Sequence, residues 1–202
     1  PDLIICGRES IIEKNIHECC YYDYYSEIKR CLSDNYMIVY YGKGADYQNG
    51  FQNEYRNDIS FVINNDLRNI FNASVPLNIY EGYKIKLYFN SPMKSLESFF
   101  DINYDPNVES IISIDFTHFD FSKITDMSKM FPGCSSLESI DFPDITDSKI
   151  NNMNHMFFGC SSLSSVNLSL FNTEEVTDMS YMFYDCGLLQ SLDFSNFKTS
   201  KV

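Results

Sequence analysis

The amino-acid sequence predicts an α/β repeat solenoid of 26-residue strand-plus-helix units, preceded by an N-terminal α+β cap. Two observations carry this expectation. Met130-Phe131-Pro132-Gly133-Cys134 returns as Met156-Phe157-Phe158-Gly159-Cys160 and again as Met182-Phe183-Tyr184-Asp185-Cys186. Within each return the apolar spacing changes from a helical interval to alternation, as a helix followed by a strand requires. The first 80 residues show no such return and are distinguished instead by cysteine and tyrosine.

Taken in chain order, residues 1–80 come first. Cys6, Cys19, Cys20 and Cys31 crowd the beginning, and Asn72 and Asn167 stand in Asn-X-Ser glycosylation sequons. Together these fit an oxidising, secretory setting in which Cys6–Cys31 holds two disulfides. The adjacent pair Cys19 and Cys20 would close a strained ring, so each is expected to bond elsewhere. A zinc site from His17, Cys19, Cys20 and Cys31 lacks the C-x-x-C spacing and is set aside. Nine of the 15 tyrosines fall at or before Tyr55, an interface-prone composition. Residues 37–41 and 59–63 read as strands, separated by a Gly- and Asn-rich loop over residues 42–57. This region is expected to cap the solenoid or to act as a ligand-binding head.

Residues 81–202 are assigned to the solenoid, with an irregular first unit at 82–108 and regular units over 109–202. Ile124, Ile150 and Val176 form one column, Met127, Met153 and Met179 another, and Leu137, Leu163 and Leu189 a third. In the last unit Met179, Met182, Phe183 and Cys186 lie on one face of a helix that Thr177 and Asp178 can cap. Alternation then points Leu192 and Phe194 inward, with Ser191 and Asp193 outward. Stacked Met and Cys could suggest a soft-metal ladder, but the same residues fill irregular cores, and the core assignment is preferred. Cys134, Cys160 and Cys186 are expected reduced and buried.

The stretches Val176–Cys186 and Ser161–Asn172 resemble the BspA-type leucine-rich repeat of the DUF285 family. The resemblance is specific over residues 109–202 and extends weakly back to residue 82, through Lys84–Met93. It implies a leucine-rich-repeat-like fold and a secreted or surface-anchored protein used in adhesion, with no chemistry. One departure is the position after the strand, usually Asn or Cys, which holds Phe119, Ile145, Phe171 and Phe197. A stacked apolar ladder is expected in its place.

The remaining expectations concern partners and chemistry. The net charge is -13, both halves of the chain are acidic, and no basic cluster exceeds a pair, which disfavours nucleic acid and anionic membranes. No apolar run is long enough to span a bilayer, and no basic-then-apolar leader stands at Pro1, so a signal peptide, if there was one, is expected to be already gone. His118 and His155 are expected to be solvated, and Gly42-Lys43-Gly44 lacks phosphate-loop spacing. No enzyme activity, metal or cofactor is therefore expected. The best candidate binding face is the outward side of the strands, with Ser113, Ser139, Ser165 and Ser191 in one column and Asp115, Asp141, Asn167 and Asp193 in the other. Stacked carboxylates would favour a cation or a basic partner segment. The expected function is extracellular or cell-surface binding of a protein or glycan. The alternative is a structural protomer: Val202 falls one period after Val176, so an open end could continue into further repeats or dock another copy head to tail into a filament.

Overall fold

The computed structural model describes residues 20–23, 28–31, 35–42, 59–63, 83–89, 92–101 and 108–202. Strands β1 (Cys20–Asp23) and β2 (Ile28–Cys31) form an antiparallel two-stranded sheet in which Cys20 is paired with Cys31. Strands β3 (Tyr36–Tyr41), β4 (Ile59–Ile63), β5 (Tyr83–Phe89), β6 (Ile111–Asp115) and β7 (Ser139–Asp141) form a second sheet, in the order β4-β5-β3-β6-β7. Its pairings are antiparallel except β6 with β7, which is parallel. The sheet takes strands from both sides of residue 80. Both strands read from alternation in the N-terminal region, over 37–41 and 59–63, are present as β3 and β4.

Alternation explains why these segments pair. On β3, Met37, Val39 and Tyr41 are buried while Tyr36, Ile38 and Tyr40 are half-buried. Val39 is the Cα partner of both Ile85 and Ile114, and all three are buried. One face of the sheet is thus committed to the core, and a one-residue slip would reverse it. The register of β3 against β6 shifts between Tyr40, paired with Ser113, and Tyr41, paired with Ile111.

The α/β solenoid of strand-plus-helix units is overturned. The described residues contain no α-helix, only a short 3-10 turn at Val108–Ser110, and the segments expected as helices are successions of turns. The reason lies in where the backbone donors go. A helix directs each N–H four residues back along its own chain. Here Met127, Lys129, Phe131 and Gly133 donate to the carbonyls of Asn152, Asn154, Met156 and Phe158 at 3.0, 2.9, 3.0 and 2.8 Å. Met153, His155, Phe157 and Gly159 then donate to Asp178, Ser180, Met182 and Tyr184, each at 2.9 Å. Leu96, Ser98 and Phe100 begin the series by donating to Asp126, Ser128 and Met130. Each segment therefore pairs sideways with the next.

Backbone conformation enforces the same outcome. Ser98, Lys129, His155 and Tyr181 hold φ of 53, 49, 53 and 55°, a left-handed kink that interrupts any right-handed helix. A second kink falls at Gly133, Gly159 and Asp185 (φ 75, 76 and 60°). Asp178, expected to cap a helix, instead accepts the Ser180 N–H at 2.8 Å and closes a turn. Asp126 and Asn152 do the same for Ser128 and Asn154.

The core runs along the stack. Phe100, Phe131, Phe157 and Phe183 stack ring on ring, with centroids 5.4, 5.4 and 5.2 Å apart and interplanar angles of 17, 13 and 9°. Met127, Met130, Met153, Met156, Cys134 and Cys160 are fully buried around that column, with Leu137 and Leu163. Phe119, Ile145 and Phe171 are buried and Phe197, partly buried, packs against the core; Ile145 and Phe171 are joined by a parallel bridge. Two strand expectations need correction. Residues 165–167 and 191–193 are not strands, because no described backbone bond carries the β6–β7 ladder past Asp141 at that level. Phe194, expected inward, is exposed, and Leu192 is half-buried.

Ser148 is buried, and its hydroxyl is the one buried side-chain polar atom among the described residues without a hydrogen-bond partner. Removing an unsatisfied buried hydroxyl relieves a desolvation penalty. We expect Ser148→Ala to raise stability by about 1 kcal/mol, read as an increase in urea midpoint with an unchanged slope.

Candidate binding face

The register of the larger sheet decides which of the candidate face residues meet. Pairing of β6 with β7 sets Ser113 beside Ser139 and Asp115 beside Asp141. Ser165, Asn167, Ser191 and Asp193 are exposed further along the chain, outside any strand ladder. Gln190 N–H to Ser164 O (3.2 Å) and Asn196 Nδ2 to Ser169 O (3.1 Å) tie that part of the stack together.

The acidic column is less free than its spacing suggests. Asp115 Oδ1 accepts from the Thr117 N–H at 2.8 Å and its hydroxyl at 2.6 Å. Asn167 Oδ1 accepts from the Ser169 N–H and hydroxyl at 3.0 and 2.7 Å, and Asp193 from the Ser195 N–H at 2.8 Å. Each closes a turn two residues ahead. Asp141 cannot do this, because Pro143 stands two residues on and has no N–H. The turn there is made by Asp144 with Thr146 instead. Asp141 is exposed, and none of the described hydrogen bonds uses its carboxylate. Of the column it is the member with both oxygens open to a ligand. Among the described residues no group of three or more His, Cys, Asp or Glu side chains could hold a metal ion.

Sequence reasoning missed the other half of this face. Tyr40 is paired with Ser113 and Ile38 with Asp115, while Lys84 and Lys86 lie opposite Tyr40 and Ile38 on the far side of β3. Directly paired residues share a face, so the Ser and Asp rows continue into an aromatic, aliphatic and basic surface. Tyr36 is central to it. Lys86 Nζ lies 3.6 Å from its ring centroid, and the His118 ring stacks on it at 4.5 Å and 11°. The only signal in the sequence was the alternation of Tyr36, Ile38 and Tyr40.

His118 is exposed, as expected, and its ring also packs on Tyr36. Thr117 gives its one hydroxyl proton to Asp115, so at 3.0 Å from His118 Nδ1 it accepts, which assigns the ring proton to Nδ1. His155 departs from expectation: it is half-buried, stacked on Tyr181 at 4.9 Å and 5.5 Å from Phe158. With Phe158 stacked on Tyr184 at 5.0 Å, these rings line a second exposed strip.

Cys134, Cys160 and Cys186 are in no disulfide, and Cys134 and Cys160 are buried, but Cys186 is half-buried rather than fully enclosed. Cys160 and Cys186 donate to the carbonyls of Phe131 and Phe157 at 3.3 and 3.1 Å. Burial pushes the Cys160 thiol well above its ordinary value and raises that of Cys186, which disfavours the thiolate at both. Of the earlier candidates, Cys6, Cys19 and Asn72 lie outside the described residues.

Asp178 carries a pH dependence. The Ser180 backbone N–H, its hydroxyl and Asn154 Nδ2 (3.2 Å from Oδ2) hold its carboxyl below the ordinary value of 3.8. A carboxylate depressed on folding contributes stability that is complete above its unfolded pKa and lost as pH falls through the folded value. Asp144 and Asp193 are lowered for the same kind of reason, by Thr146 and Ser195. The urea midpoint should therefore drop below pH 3.8, and the drop should be smaller in Asp178→Asn, which keeps an acceptor for Ser180 but cannot titrate.

A family model described as "Mycoplasma protein of unknown function, DUF285" matches residues 94–202, more than half of the chain. No curated protein and no solved structure matches it.

Proposed function

The chain belongs to the DUF285 family, and from that premise we propose a non-enzymatic protein of the cell surface or extracellular space that binds other proteins or glycans. The likeness of its units to BspA-type surface repeats supports the location and the adhesive role. The observation that carries the reading is the continuous face on which Ser139 and Asp141 lie beside Ser113 and Asp115, and these beside Tyr40 and Ile38. A surface mixing aromatic, aliphatic and small polar side chains matches the composition of recognition surfaces. Its aligned rows offer repeated, equally oriented groups to an extended ligand. In this reading residues 1–80 cap the stack or add a ligand-binding head, and Asn72 and Asn167 carry glycans if the source is eukaryotic.

The test uses the full chain with Ser139→Lys and Asp141→Lys together, both at exposed positions. Binding to immobilised extracellular-matrix proteins and to a glycan array should fall at least tenfold, roughly 1.4 kcal/mol, with the thermal midpoint unchanged. Equal binding by variant and parent, or no binding by the parent on either surface, contradicts the reading. A second reading, a protomer that associates with copies of itself, is favoured by the exposed apolar side chains Leu188 and Phe194. Sedimentation velocity across a concentration series distinguishes it.

A further inference from the structure

The register of the two-stranded sheet carries a covalent assignment of its own. Cys20 opens β1, Cys31 closes β2, and the two are direct Cα partners. Directly opposed residues of an antiparallel pair have Cα atoms about 4.5–5.5 Å apart, inside the roughly 4.4–6.8 Å that a disulfide spans. The register places Cys20, and not its neighbour Cys19, opposite Cys31. A bond between Cys19 and Cys20 themselves would be strained. The later cysteines offer no competing partner: Cys134 and Cys160 are buried, and Cys160 and Cys186 are engaged with backbone carbonyls.

We propose that Cys20 and Cys31 form a disulfide across the β1–β2 hairpin. The bond forms by exchange with a small-molecule disulfide oxidant. The Cys20 thiolate attacks one oxidant sulfur and releases the other as a thiol; the Cys31 thiolate then attacks Cys20 sulfur and releases the second thiol. Two electrons and two protons pass from the protein to the oxidant. The bridge fixes the hairpin at the register observed, because any slip would separate the two sulfurs.

The full chain, equilibrated in a glutathione redox buffer, alkylated and digested with trypsin, tests the assignment. Unreduced, the peptide that begins at Cys31 should be linked to the peptide carrying Cys19 and Cys20, with fragmentation placing the link at Cys20. Cys19→Ser should leave Cys31 protected from alkylation. Cys20→Ser should make Cys31 react at least tenfold faster. A link from Cys31 to Cys6, Cys19 or any later cysteine, or ready alkylation of Cys31 in the unsubstituted oxidised chain, overturns the proposal. Because the buffer fixes the redox conditions, failure here leaves the cell-surface reading untouched.

Discussion

Replacing Phe157 with alanine should lower the stability of this protein by about 4 kcal/mol, within the roughly 3–5 kcal/mol usual for a buried phenylalanine. Phe157 is fully buried and stacked on both sides, against Phe131 at 5.4 Å and Phe183 at 5.2 Å. The substitution removes the ring's own burial and both stacking contacts, the latter worth about 0.5–1.5 kcal/mol each beyond area. It also leaves a gap in the middle of the column, where rigid backbone pairing on both sides prevents collapse. Urea denaturation followed by circular dichroism measures the loss, and Phe157→Leu should lose less than half as much. A decrease below about 1 kcal/mol would show that the column does not bear the core.

The second large effect belongs to the larger sheet. Val39→Asp should destabilise by more than about 3 kcal/mol, because it puts a carboxylate between Ile85 and Ile114 with every side buried. Such a group has a raised folded pKa, so the penalty is complete above that pKa and relieved as pH falls through it. The gap between variant and parent should therefore narrow in acid. Tyr40→Thr, one residue along and on the outward face, should change stability by less than about 1.5 kcal/mol. If both variants behaved alike, β3 would not be seated between β5 and β6 as described.

The contrast between these residues also explains what could be seen in the sequence. β3 and β4 were legible because alternation is a local pattern with a single structural meaning. The repeat was legible as a column of identities, and Phe131, Phe157 and Phe183 do stack. The helix was misread because the spacing of Met179, Met182, Phe183 and Cys186 suits tight turns as well as an α-helix. What separates the two is where the N–H groups of Met153, His155 and Phe157 donate, and that is invisible until the neighbouring segment is in place. The left-handed residues gave little warning either, since Lys129 and Tyr181 are not types that favour such a conformation, although His155 is.

The candidate face divided in the same way. Ser113 with Ser139 and Asp115 with Asp141 followed from the period alone. Tyr36, Ile38, Tyr40, Lys84 and Lys86 joined them through pairings between segments distant in the chain, which no local pattern encodes. The openness of Asp141 was readable in principle, because Pro143 cannot donate. The occupation of Asp115, Asn167 and Asp193 was equally readable, from Thr117, Ser169 and Ser195 two residues on.

The sideways pairing has a consequence in the currency of genes. Because the same four donors on one segment meet the same four acceptors on the next, a whole 26-residue unit can be removed or duplicated and the flanking segments still find matching partners. Unequal crossing-over between the coding stretches of such units would thus lengthen or shorten the stack in whole steps. The junction at the start does not share this freedom, since Thr125 reaches back 31 residues to Lys94 while Thr177 reaches back 26 to Asn151. Length variation among natural alleles should accordingly fall after residue 126 in whole periods, and spare the stretch that joins the stack to the sheet.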